Sequence, residues 1–159
     1  MDINEIKSKI KNIYIMFLYS IMKEDIYRVK QHLSDDLVEY YKNVIENNIS
    51  NNVIQKYGEL NVAFVDIIDI KEDIIIAQIE AKYIDYKIDR NTKKFISGDR
   101  TRSSHDITLK IRYQKHNKEE VYRCPSCGAV VNVNFSGICE YCNEPIDDSE
   151  SVYVIEEMI

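Results

Sequence analysis

The chain has little of what breaks or links structure. Its 159 residues include only two prolines and four glycines. That excludes long flexible linkers and points to one domain of ordinary size, with room for at most a small appendage. Long apolar runs are also missing: no segment reaches the roughly 18 uninterrupted apolar residues of a membrane span. Cysteine is absent from the first three quarters of the chain, and all four cysteines fall between positions 124 and 142. A disulfide framework would scatter them, so reduced thiols and a cytoplasmic setting are expected. Long basic segments are missing as well. Lys93-Lys94 and Arg100 to Arg102 are short, the net charge is −6 and the pI is near 5.1. Such a surface repels phosphates, so nucleic acid is not an expected partner. The sequence shows no Ser-His-Asp set, no phosphate-binding glycine loop and no second metal motif.

What is present is a helical first third followed by strands. Ile3, Ile6, Ile10, Ile13, Phe17 and Ile21 recur at steps of three and four and line one helix face. From residue 13 onward Tyr14, Ile15, Met16, Leu18 and Tyr19 widen the stripe, which predicts a helix buried on most sides. Ile13 to Met22 also loosely imitates a signal peptide. Asp2 and Glu5 dilute the basic residues before it, and Lys23-Glu24-Asp25 follows in place of small residues, so cleavage is not expected. A short helix is expected from Asp25 to His32. Ser34 fits the N-cap of another, with Asp35 and Asp36 at its positive end and Leu37, Tyr40, Tyr41, Val44 and Ile45 facing inward. Asn47, Asn48, Asn51 and Asn52 predict a polar break after it.

Strands are expected from Leu60 onward. Val62 to Ile70 reads as a strand covered on both faces, and Lys71-Glu72-Asp73 as a turn. In Ile74 to Asp89 the apolar parity changes: Ile75, Ala77, Ile79, Ala81 and Tyr83 share one face, then Ile84, Tyr86 and Ile88 take the other. A strand cannot change its buried face without an irregularity, so a bulge or sharp coil is predicted near Tyr83-Ile84. Asp89 to Asp99 reads as a loop with a short Phe95-Ile96 element and a turn at Gly98. Ile107, Leu109, Ile111 and Tyr113 alternate with polar residues as a one-sided strand, and Val152 to Ile155 reads as the last strand.

The sharpest motif is Cys124-Pro-Ser-Cys127-Gly, eleven intervening residues, then Cys139-Glu-Tyr-Cys142-Asn. Two Cys-x-x-Cys turns supply four soft ligands for a tetrahedral zinc. The residue after each turn needs a positive φ so that amides can point at the sulfurs. Gly128 adopts that without steric cost, and Asn143 is the next most tolerant type. One structural Zn2+ per chain is expected on Cys124, Cys127, Cys139 and Cys142. Four protein ligands leave no position for a reactive water.

Several phrases resemble the bacterial Tim-forty-four-like family with an attached zinc ribbon, named after the C-terminal domain of a mitochondrial import-motor tether. They are Met22-Lys-Glu-Asp25 to His32-Leu-Ser-Asp-Asp-Leu37, Ala81-Lys-Tyr-Ile-Asp-Tyr86, Asp89-Arg-Asn-Thr92, Gly98-Asp-Arg100, Cys124-Pro-Ser-Cys-Gly-Ala129, Asn132-Val-Asn134, Gly137-Ile-Cys-Glu-Tyr-Cys142 and Tyr153-Val-Ile155. Relatives often carry Trp where this chain has Tyr153. The resemblance implies an α+β cone of the cystatin-like or nuclear-transport-factor-two-like type spanning 1–159. A curved antiparallel sheet would wrap the N-terminal helices, with the ribbon (120–148) inserted between the last two sheet strands. It also implies a non-enzymatic binding or adaptor module, linked to lipid, membrane surfaces or protein translocation, with a protein or acyl ligand in the cone.

Two other readings follow from the same residues. Cones of this type host isomerases and dehydratases, and Phe17, Tyr83, Asp85 and His105 are the candidate pocket residues. Alternatively the ribbon makes the contacts. Its charges, Arg123, Glu140, Glu144, Asp147 and Asp148, are net acidic and disfavour nucleic acid, whereas Val130, Val131, Val133 and Phe135 suit stacking on the cone, a protein partner or a homodimer.

Overall fold

The computed structural model describes residues 2–115, 122–124, 127–131, 141–142 and 151–159. Helix α1 (Ile3–Met22) starts at Asp2, whose carboxylate accepts from the Asn4 amide. It buries Ile6, Ile10, Ile13, Tyr14, Phe17, Leu18 and Ile21. The stripe is one-sided, because Met16 and Tyr19 stay exposed on the far face. A 3-10 helix (Ile26–His32) follows. Helix α2 (Asp35–Ser50) is capped by Ser34, whose hydroxyl accepts from the Leu37 amide at 3.3 Å. Its inward stripe keeps the expected Leu37, Tyr41 and Ile45 and takes Val38 and Asn48 in place of Tyr40 and Val44. Tyr40 is 59% exposed and stacks edge-on against Tyr41. The helix also runs through Asn47 and Asn48, because Asn48 falls on the buried side and the break comes only at Asn51.

Strands β1 (Val53–Lys71), β2 (Ile74–Asp89), β3 (Phe95–Gly98), β4 (Ser103–Lys115) and β7 (Ser151–Met158) form one five-stranded sheet. Its order is β1-β2-β4-β7, with β3 also pairing β2, and every pairing is antiparallel. Two short strands, β5 (Tyr122–Arg123) and β6 (Val130–Val131), pair separately. The molecule is therefore an α+β protein with N-terminal helices on an antiparallel sheet.

β1 differs most from its expected form. It begins at Val53, well before Val62, and it is covered on one face only: Phe64 is 50% and Ile68 55% exposed. The physical reason is its place at the sheet edge, with helices on a single side. Its register with β2 slips at three places, Gly58/Asn61, Val62/Phe64 and Ile67/Asp69. At each slip β1 contributes one residue more than β2. The first slip sets Glu59 and Leu60 against the single Tyr83, with Glu59 at φ +52. The irregularity expected at Tyr83-Ile84 is thus present at that level, but the extra residue lies on the partner strand. Beyond Tyr83, β2 changes its neighbour from β4 to β3, so one edge of β2 carries two short strands end to end. Such slips bend and twist a strand.

The core lies between α1 and the inner sheet face. Ile75, Ala77, Ile79 and Ala81 of β2, Leu109 and Ile111 of β4, and Tyr153 and Ile155 of β7 meet Ile6, Ile10, Ile13 and Phe17. Ile107 and Tyr113 pack against this cluster as partly buried neighbours. β7 is also tied to the helices: the Ser34 amide donates to the Ile155 carbonyl at 2.9 Å, and Leu33 bridges Ile155 in parallel.

Candidate metal centre and the tyrosine cluster

The chain between β4 and β7 carries all four cysteines. Lys115, where β4 ends, pairs with Ser151, where β7 begins, so this segment leaves and re-enters the sheet at one point. Within it, β5 runs into Cys124, and the chain turns tightly to reach β6. The Cys124 amide donates to the Ala129 carbonyl at 2.9 Å, and the Gly128 amide donates to the Cys124 carbonyl at 2.8 Å. Gly128 sits at φ +76, the left-handed conformation its type was expected to supply.

The sulfurs of Cys124 and Cys127, both in this turn, and of Cys142, from further along the chain, lie within 4.8 Å of one another. Cys124 is 2% exposed, Cys127 is exposed and Cys142 is intermediate. The Cys124 and Cys142 Sγ atoms are 3.6 Å apart. A disulfide requires about 2.05 Å, whereas the edge of a tetrahedron with metal–sulfur bonds of about 2.3 Å is about 3.8 Å. The spacing fits thiols gathered around a common centre, and these three residues can hold a metal ion. Cys139, the fourth expected ligand, and Asn143 lie outside the described residues.

The other expected site residues lie at the opposite end of the sheet. Tyr83 and His105 stack face to face, with ring centroids 3.9 Å apart and planes 2° from parallel. His105 Nε2 is 3.1 Å from the Ser103 hydroxyl. Asp85 Oδ1 accepts from Gln55 Nε2 at 2.6 Å, and its charge acts on both Tyr83 and Tyr57. Phe17 sits deeper, edge-on to Tyr41 at 4.7 Å and 6.1 Å from the Tyr14 ring.

The sequence reading did not collect Tyr14, Tyr41, Tyr57 and Gln55 into this group. Tyr57 packs edge-on to Tyr83 at 5.1 Å. The Tyr14 and Tyr83 hydroxyls share a hydrogen bond that raises the first pKa and lowers the second, as for a donor and its acceptor. Burial is the largest influence on each of them. It pushes Tyr14 and Tyr57 far above the ordinary phenol value, helped at Tyr57 by the Asp85 charge. Burial, Tyr57 and Asp85 together push Tyr83 up to about 12 despite the lowering bond. These phenols are neutral at physiological pH and pack as wedges, with Tyr14 and Tyr83 also hydrogen-bonded to each other. The available signal for Tyr14 was its place beside Ile13 and Phe17 on α1. Tyr57 falls in a stretch too polar to read as a strand.

No helix among the described residues is long and apolar enough to cross a membrane. No family model matches the chain, and no curated protein matches it.

Proposed function

We propose that the protein is a non-enzymatic binding or adaptor module of the Tim-forty-four-like kind. In this reading its sheet and helices form a cone, and a zinc ribbon inserted between β4 and β7 holds one structural zinc. The observation that carries it is the gathering of Cys124, Cys127 and Cys142 within 4.8 Å around a Gly128 turn. Cys139 completes the set in this proposal. Four thiolates close the coordination sphere, so the metal stabilises a segment too short to bury a core of its own.

The partner in this reading is a protein or a lipid acyl chain taken up by the cone, with a membrane surface or a second copy as further candidates. Net acidity makes nucleic acid the poorest of the candidates. A cytoplasmic setting suits thiolates held by a metal. Three measurements test the proposal. Metal analysis of the purified full chain should find one zinc per chain. Cobalt substitution should give the intense spectrum of a tetrahedral thiolate site, and an octahedral spectrum would sink the zinc reading. Flotation with anionic and neutral vesicles tests the membrane version, which fails if neither vesicle carries the protein upward.

The stack of Tyr83 on His105 beside Asp85 favours one second reading, an isomerase-like or dehydratase-like acid–base site. Against it, the phenols bond and pack among themselves. Native mass spectrometry of the protein as isolated separates the two: a retained acyl chain or peptide supports the binding module, and a retained small polar metabolite supports the enzyme.

A further inference from the structure

We infer that metal loading at the cysteine centre controls the seating of the first half of β7, and through it the docking of residues 32–34. The inference rests on the zinc reading and goes beyond it, because it makes the ion an effector of the sheet as well as a staple of its own loop.

β7 reaches β4 only across residues 116–150, and the two ends of that segment are the paired Lys115 and Ser151. Holding strands together across a long flexible connection costs closure entropy that grows with the free length. A metal joining Cys124, Cys127 and Cys142 shortens the free connection by about half before the strands pair. Without it the connection lengthens in effect, and the ladder next to the junction weakens first.

That ladder supports more than itself. Tyr153 and Ile155 are buried in the core. The Tyr153 carbonyl lies 3.0 Å from His32 Nδ1, which must donate, since a carbonyl only accepts. The Ile155 carbonyl receives the Ser34 amide at 2.9 Å, and Leu33 bridges Ile155. The 3-10 helix and the cap of α2 therefore hang on the half of β7 nearest the cysteines. The far half is anchored independently. The register slips between Ile111 and Lys110, and beyond it Ile159 and Thr108 exchange both amide bonds, at 2.9 and 3.1 Å. Strand β7 is thus split into a metal-proximal half that carries the contacts of His32, Leu33 and the Ser34 amide, and a distal half that has its own ladder bonds and longer contacts from the Ser34 hydroxyl to Glu156 at 3.5 Å and from Tyr41 to Met158 at 3.8 Å.

Amide hydrogen exchange on the full chain, zinc-loaded and then stripped with a chelator, reads this directly. Stripping is expected to speed exchange about threefold at the protected amides of 151–155 and at Ser34, the change that about a doubling of the free connection produces. The amides of Ile75 to Ile79 in β2 and of Ile159 should change little. Exchange at Ser34 and 151–155 that is unchanged overturns the inference, as does acceleration equal to that of β2, which would mean global unfolding. A second variant guards against side effects: 116–150 is replaced by a short turn joining Lys115 to Ser151. There the chelator should have no effect on β7, and an effect there also overturns the inference. Metal analysis of the same sample keeps the two failures apart. Zinc bound with no exchange response sinks only the linkage, and no zinc after reconstitution sinks the metal reading together with it.

Discussion

Arg90 and Glu24 stand 66 residues apart and meet in a two-pronged ion pair, Nη1 to Oε1 and Nη2 to Oε2, both at 2.6 Å. Nη2 also donates to the Val53 carbonyl at 2.8 Å, and the Arg90 amide donates to the Asn52 carbonyl at 2.9 Å. One side chain thereby ties the end of α1 to the start of β1 and the end of β2. Glu24 is held at φ +57, a left-handed conformation unusual for its type.

Both partners are mostly shielded from water, so removing either strands a charge. Glu24→Gln and Arg90→Met are each expected to cost about 2 kcal/mol in urea unfolding. The double variant should cost less than the sum, and strict additivity would show that the pair contributes no coupling. Arg90→Lys should fall between, because a lysine keeps the charge and loses the fork.

Gly98 and Gly58 separate strain from space. Gly98 has φ +111, and a Cβ there would run into the Asp85 carbonyl oxygen and come within 2.6 Å of the Tyr86 Cα. The Asp99 amide donates to the same Asp85 carbonyl at 2.7 Å. Gly98→Ala is therefore expected to detach β3 from β2 and to cost about 3 kcal/mol. At Gly58 a Cβ would meet side-chain atoms of Tyr86 and Ile84 at 3.3 and 3.4 Å, contacts that a small side-chain shift can relieve. Gly58→Ala should stay within about 1 kcal/mol of the parent. Equal losses in the two variants would contradict the backbone argument.

Alkaline pH tests the tyrosine cluster. The Tyr83 phenol, ordinarily near 10.0, is raised to about 12 in the folded protein. Above pH 10 the unfolded chain has lost a proton that the folded protein still holds, so unfolding releases protons and stability falls as pH rises. The loss begins near the unfolded value of 10.0 and is complete above about 12, and below it this group has no effect. Tyr14 and Tyr57, raised in the same direction, add to the slope. A plot of Tm against pH across this window should be shallower for Tyr83→Phe than for the parent, while the exposed Tyr19→Phe should match the parent. Identical slopes for all three proteins would remove Tyr83 from the account.

Ser34 serves two elements at once. Its hydroxyl accepts from the Leu37 amide at the start of α2, and its backbone amide holds β7. The hydroxyl also reaches the Glu156 carbonyl of β7 at 3.5 Å. Ser34→Ala removes the cap and this long contact, leaves the backbone amide bond in place, and should cost about 1 kcal/mol. Ser34→Asp should recover most of that loss, and failure to do so would mean that the cap is not the source of the effect.

How much of this was readable beforehand varies with the range of the interaction. The α1 stripe from Ile6 to Ile21, the Ser34 cap, the alternation in β4 and the Cys124-x-x-Cys127 turn with Gly128 are present where the residues placed them, whereas Ile3 at the start of the stripe is exposed. Each is decided within a few residues, by helical or strand periodicity, cap geometry or the positive φ after a Cys-x-x-Cys turn. The change of parity in β2 was equally legible, and it located an irregularity opposite Tyr83. It did not say which strand would carry the extra residue, because a slip belongs to a pair of strands.

Folding in three dimensions decided the rest. β1 took the surplus residues because it lies at the edge, where one flank is free of a ladder that would resist the slip. Tyr14, Tyr57 and Tyr83 come from three separate elements, and only the packing of α1 on the bent sheet turns them into one packed, high-pKa group. The pairing of Lys115 with Ser151 likewise set the cysteine segment at the root of β7. The residues alone determined the short-range chemistry, the thiols and their turn. The tertiary structure determined what that chemistry is connected to, because the free energy of those connections is shared by segments that meet only in the folded chain.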